Sequence, residues 1–321
     1  RYHQDGFDTG LFDISELSGN FSGEELNVAS LRVSHGLGDL ALKGGMQFHE
    51  YYPMEFFLDG QSRLPWVEGA LKDRKASLHI KGSLTDLHSE LKLVGKEEVR
   101  LMARLNTLAI DLPFELEGQW HGLQWPLQGK AEYQLLGGKA KANGTLNKYR
   151  LQLDTRAKAL DFPAGKVAIS LDGSLQGIRL NPLVISSGAT ELEIAGDLSW
   201  HKSLKWQGRV KGHSANIHEW TSAISGRLAG HVDTRLEIKE KHWSLSLPFI
   251  DIKGQLNGYP LSMRGEVQGN DKLHWTFKKV QLHSGANQLS MDGSLSDRRA
   301  LNGKLDAPEL GIFYSPLSGD L

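Results

Sequence analysis

The sequence contains no cysteine. That excludes disulfides, thiol nucleophiles and thiolate-ligated metals, and is compatible with an oxidising compartment without demanding one. An excess of one charge is lacking too: the 321 residues carry a formal net charge of −1, so no global field suggests nucleic acid or a membrane surface as a partner. No apolar run approaches the ~18 residues of a membrane-spanning helix. The chain opens on Arg1, and no signal peptide is visible. Catalytic signatures are missing as well. There is no H-E-x-x-H, no G-x-S-x-G, no P-loop and no G-x-G-x-x-G opening a helix. His213 and His218 lie too loosely spaced beside Glu219 for a metal site and read as loop histidines. Asp-Gly-Ser-Leu occurs at Asp172 and again at Asp292, inside a repeated strand phrase, and reads as structure. The expectation is a protein that is not an enzyme and needs neither cofactor nor metal.

What the chain has is glycine, about one residue in nine, and a recurring phrase in which it is embedded. The phrase is apolar, any, apolar, any, Gly, any, apolar. It occurs as Leu40-x-Leu42-x-Gly44-x-Met46, Leu78-x-Ile80-x-Gly82-x-Leu84 and, more weakly, Ala140-x-Ala142-x-Gly144-x-Leu146. It returns as Ile169-x-Leu171-x-Gly173-x-Leu175, Leu192-x-Ile194-x-Gly196-x-Leu198, Ile250-x-Ile252-x-Gly254-x-Leu256 and Leu289-x-Met291-x-Gly293-x-Leu295. Period two marks a β-strand with one apolar face, and recurrence implies a stack of similar strands. The segments 187–199 and 284–296 align without gaps, 97 residues apart; Ser225-Gly226 and Ser318-Gly319 recur 93 residues apart. The chain is therefore expected to be one continuous architecture over 1–321, built from about three similar units near 1–125, 126–224 and 225–321. Segments near 216–224 and 307–316 do not alternate and are expected to be short helices or loops. The closing Leu317 to Leu321 reads as the start of a further strand, so a segment of something longer is expected.

The fold class expected is all-β: an elongated antiparallel sheet folded into a trough with an apolar groove and few short helices. At ~4.8 Å per strand, roughly 25 strands would give on the order of 100 Å of groove. Glycine shares parity with the aliphatic residues. Two readings fit that. A missing side chain at Gly44, Gly82, Gly144, Gly173, Gly196, Gly254 and Gly293 lets each strand bend, or it makes room for a bulky neighbour. The groove lining would be Leu40, Leu42, Met46, Leu78, Ile80, Leu84, Ile169, Leu171, Leu175, Leu192, Ile194, Leu198, Ile250, Ile252, Leu256, Leu289, Met291 and Leu295. Eight Trp residues spread along the chain, which fits groove lining and rim as well as ordinary sheet packing. An open apolar face of this length exceeds what a soluble monomer normally exposes, so something apolar should fill it.

Three longer phrases carry a family resemblance: Gln124-Trp125-Pro126-Leu127-x-Gly129-Lys130; Leu192 to Trp200 followed by Trp206-x-Gly208; and Leu305-Asp306-Ala307-Pro308-Glu309-Leu310. Together they resemble the middle of the TamB family of AsmA-like, bridge-like lipid-transfer proteins. The resemblance implies a β-taco trough crossing the periplasm and an inner-membrane anchor outside this chain. It implies a further region that meets the outer-membrane barrel subunit TamA. It also implies passage of phospholipid between inner and outer membranes and support of outer-membrane protein assembly. It supplies no catalytic residues. A rival expectation from a different class is a scaffold that templates client strands at its sheet edges by β-augmentation without moving lipid. A parallel β-helix would need shorter, regular coils than a unit near a hundred residues.

Overall fold

A computed structural model describes residues 3–4, 7–8, 13–35, 38–62, 74–126, 130–159, 162–216, 218, 225–296 and 300–309. The chain divides into two compact units, Arg1–Tyr149 with Leu153–Leu160, and Arg150–Gln152 with Asp161–Leu321. The first contains β1 (His3–Gln4), β2 (Phe7–Asp8), β3 (Asp13–Phe21), β4 (Glu25–His35), β5 (Gly38–Gln47) and β6 (Met54–Ser62). It continues with β7 (Lys75–Ser83), β8 (Asp86–Val94), β9 (Glu98–Leu105), β10 (Phe114–Trp125), β11 (Tyr133–Thr145) and most of β12 (Lys148–Ala159). The second contains β13 (Phe162–Ser174), β14 (Gly177–Ser187), β15 (Thr190–Ser199), β16 (Leu204–Asn216) and β17 (Gly226–Lys239). It closes with β18 (His242–Leu256), β19 (Tyr259–Asn270), β20 (Trp275–Ser284), β21 (Asn287–Leu295) and β22 (Ala300–Asp306).

Within each unit the long strands from β3 to β11 and from β13 to β22 pair antiparallel with their chain neighbours. The fold is all-β, as the period-two pattern demands, with no α-helix among the described residues. Tight turns make the meander possible. Asn257 and Gly258, both at positive φ, join β18 to β19, the signature of a two-residue hairpin turn whose twist matches its strands. Of the expected helices, Ala307–Glu309 form an extension and a turn; 310–316, and 219–224 with 217, lie outside the described residues.

Little of either sheet is sealed from water. Among the described residues the buried apolar side chains are Ala142, Ile250, Val280 and Ala307.

Candidate functional site: an aliphatic sheet face

The register converts the strand phrases into continuous rows. In the first unit Leu17, Leu31, Leu42, Leu58, Leu78, Leu91 and Leu101 are successive cross-strand partners from β3 to β9. That is seven leucines in an unbroken line. In the second unit Ile169, Leu183, Ile194, Val210, Val232 and Ile250 follow one another from β13 to β18. Val280 and Met291, themselves partners, continue the line on β20 and β21. Directly opposed aliphatic pairs are the stabilising unit of a sheet face, and nine strands at ~4.8 Å place about 38 Å of aliphatic surface along the second unit.

Of the expected lining residues, Ile250 is buried and Leu40, Leu175 and Leu295 are exposed. The other fourteen, from Leu42 to Met291, are partly buried. Leu84 and Leu175 sit in turns rather than in strands. Water therefore reaches nearly the whole face. Sequence reasoning missed Leu17, Leu31, Leu58, Leu91, Leu101, Leu183, Val210, Val232 and Val280. Their strands lack the glycine phrase, and alternation alone would have found them.

Six of the seven phrase glycines, all but Gly173, adopt φ between +119° and +157°, a region that L-residues rarely enter. At Gly293 a Cβ would run into the carbonyl oxygen of Ala300 on the neighbouring strand, not out onto either face. What glycine supplies there is a backbone conformation with close strand approach. Bulky neighbours explain other glycines: the Trp206 ring lies over Gly208 and the Trp275 ring over Gly269.

Positive-φ glycines also mark β-bulges. Five times, two residues of one strand face a single residue of the next, directly beside such a glycine. The pairs are Ala29–Ser30 with Gly44, Asn181–Pro182 with Gly196, His213–Ser214 with Gly230, Pro248–Phe249 with Gly265, and Lys278–Lys279 with Gly293. Each bulge resets the alternation. In β18 the apolar series passes from Trp243, Leu245 and Leu247 to Ile250 and Ile252, so the aliphatic side chains keep to one face despite the inserted residue. Bulges bend their strand and increase local twist.

The opposite face is a ladder of cross-strand ion pairs. Arg100–Glu90 and Arg104–Asp86 are 2.6 and 2.7 Å apart, Lys141–Glu117 2.6 Å, Arg179–Asp197 2.7 Å and Arg209–Asp233 2.6 Å. His213 lies beside Glu191 and Glu193; among the described residues no group of three or more potential ligands could hold a metal. A depression of about 1040 Å³ lies among Asp251, Arg264, Glu266, Lys278 and Asp292, with the row residues Ile250, Val280 and Met291 also in its lining, and one of about 620 Å³ lies among Arg32, Asp39, Asp59, Lys75 and Lys92, with Leu40 in its lining. Hydrogen bonds from Arg104, Arg209 and Lys92 hold Asp86, Asp233 and Glu90 below the usual carboxylate range. A lowered folded value adds stability above the unfolded value and loses it as pH falls through the folded one. Thermal melts should therefore be flat from neutral pH to about 5 and fall below about 4, with raised salt flattening the drop. A melting temperature unchanged to pH 3 would show that the ladder contributes nothing.

Comparison with known proteins assigns the chain. The family model described as "TamB, N-terminal domain" matches residues 3–321. The chain belongs to the TamB family. A TamB-family relative from Haemophilus influenzae, "Translocation and assembly module subunit TamB", is 25% identical over 313 residues, or 92% of this chain. The chain spans 23% of that relative's length. No solved structure matches it. Among the described residues no helix is long and apolar enough to cross a membrane.

Proposed function

We propose that this chain is the periplasmic segment of a bridge-like lipid transporter, and that phospholipid acyl chains lie along its aliphatic rows. The observation that carries the reading is the pair of unbroken rows, Leu17 to Leu101 and Ile169 to Ile250, left partly accessible to water along most of their length. A water-accessible aliphatic surface of this extent is unstable unless something apolar occupies it. An acyl chain fits it without any specific contact, because every position offers the same dispersion and hydrophobic gain. Head groups would stay in water near the turns. Movement then needs no chemistry, only sliding between equivalent sites. As in the family, the parent protein would be anchored in the inner membrane by a segment outside this chain, deliver lipid toward the outer membrane, meet TamA there, and support outer-membrane protein assembly.

Native mass spectrometry of the purified chain tests the reading: phospholipid should co-purify with it. Peptide in place of lipid would favour the β-augmentation scaffold. Face parity provides a second measurement. A photo-crosslinking residue at Leu192, Ile194 or Leu289 should capture phospholipid in cells, whereas one at Glu193 or Ser290, on the ion-pair face, should capture little. Equal labelling of both faces would sink the lipid reading.

A further inference from the structure

Turn tips normally carry Gly, Pro, Asn, Asp or Ser. Along one end of the first unit several of them carry large apolar side chains as well. The turns there follow β3, β5, β7, β9 and β11, and they are tied to one another. Phe48 N donates to Glu24 O at 2.7 Å, Leu84 N to Tyr51 O at 2.8 Å, Thr107 N to Leu84 O at 2.7 Å and Leu146 N to Asp111 O at 3.1 Å. On this rim Phe21 is 72% exposed, Tyr51 60%, Leu108 51% and Ile110 105%. Tyr52 and Leu146 are exposed as well.

The arrangement is built rather than incidental. Glu50, Tyr51 and Tyr52 all adopt positive φ, as does Leu112, a costly conformation for such residues. Phe48 packs edge-on against both Phe21 and Tyr52, with ring centroids 5.9 and 6.4 Å apart. Asn106 Oδ1 accepts hydrogen bonds from Leu108 N and Ala109 N at 3.2 and 3.0 Å. Leu112 N and Tyr52 N donate to Ala109 O and His49 O. Many backbone donors of the tips are thus satisfied within the rim, which lets the tips leave water without stranding those groups.

Charge narrows what the rim meets. Residues 21–24, 48–53, 84–85, 106–113 and 146–148 include Glu24, Glu50 and Asp111 against one cation, Lys148. Such a strip is repelled by anionic lipid. It complements the ammonium group of a zwitterionic headgroup, which carboxylates and tyrosine faces both attract, while Leu108 and Ile110 reach the acyl boundary.

We infer that this rim is a bilayer-contacting edge that engages zwitterionic phospholipid: Glu24, Glu50, Asp111 and the tyrosines at the headgroups, Leu108 and Ile110 below them. It extends the lipid reading by placing the point where lipid crosses between membrane and sheet, and it rests on that reading only for the direction of traffic. The test is co-flotation of the purified chain with phosphatidylcholine–phosphatidylethanolamine vesicles. The chain should bind them, and replacing about a third of the lipid by phosphatidylglycerol should weaken binding. The double variant Leu108→Asp/Ile110→Asp, at exposed tips where folding is unaffected, should bind at least about tenfold more weakly. Val94→Asp, at the opposite end of the strands, should bind normally. Glu50→Lys/Asp111→Lys should reverse the lipid preference. Absence of vesicle binding, indifference to the double variant, or tighter binding to anionic vesicles would overturn the proposal. Native mass spectrometry of the double variant separates the two readings. Retained co-purified phospholipid with lost vesicle binding identifies a failed rim on a working sheet. Vesicle binding with no co-purified lipid in any variant would refute the sheet reading and leave the rim standing.

Discussion

Ile194→Asp should abolish transport while leaving the protein folded. Ile194 lies mid-row, between Leu183 and Val210, and is only partly buried. In a sealed core an unpaired carboxylate costs several kcal/mol and often the fold. On a face that water reaches, the carboxylate stays hydrated in the empty protein. What is lost is part of one side chain's apolar burial, about 1–2 kcal/mol, a shift of a few degrees in melting for a chain of this size. A sliding acyl chain meets a different situation. It must strip water from a charge within a ~5 Å strand spacing, which is a barrier to every molecule that passes. Ile250→Asp provides the contrast. Ile250 is 4% exposed on the same row, so the same substitution there should collapse the second unit. Two measurements decide: melting of the purified chain, and outer-membrane integrity when the full-length parent carries Ile194→Asp in cells lacking overlapping transporters. If Ile194→Asp unfolds the chain as Ile250→Asp does, the row is an ordinary core and the lipid proposal loses its physical basis.

The aliphatic face was legible in the sequence because period two is a local property. Leu192, Ile194 and Leu198 announce their shared face within seven residues, and the register only had to connect them to Val210 and Leu183. Three features were not legible. The bulges interrupt the alternation, so Leu247 and Ile250 look out of phase in β18 although their side chains belong to one face. Reading them requires knowing that Pro248 and Phe249 together face a single residue of β19. The glycines were visible by position but not by conformation. Parity alone would aim Gly293 at the aliphatic side, whereas its positive φ turns the absent Cβ toward β22. The rim of the first unit was hidden for a related reason. Tyr51, Leu108 and Ile110 are ordinary apolar letters until the turns that carry them are seen to lie bonded side by side.

Gly293→Val should be among the most destabilising single changes in the second unit, and Gly303→Val on the adjoining strand close to neutral. Gly293 has φ +123°, and its Cβ would meet the Ala300 carbonyl. A branched side chain there is penalised twice. The backbone conformation costs roughly 1–3 kcal/mol for a non-glycine residue, and overpacking against a neighbouring main chain adds ~1–3 kcal/mol. Gly303 has no unusual φ, and its nearest neighbour, Ser290 O, is 3.7 Å away. Valine at that position gains strand propensity and clashes with nothing. The contrast separates a conformational requirement from a general intolerance of bulk, since the two glycines lie on adjacent strands and only Gly293 has the positive φ and the close main-chain neighbour. The bulge at Lys278–Lys279 adds a local signature. It lies beside Gly293, so valine at 293 should raise hydrogen exchange first in β20, β21 and β22. Protection in the first unit should persist if the meander transmits strain only between neighbouring strands. Equal destabilisation by the two valines would mean that bulk, not backbone geometry, is what these positions exclude. Loss of protection throughout the chain would mean that the sheet unfolds as one cooperative body, and that its glycines are not local devices.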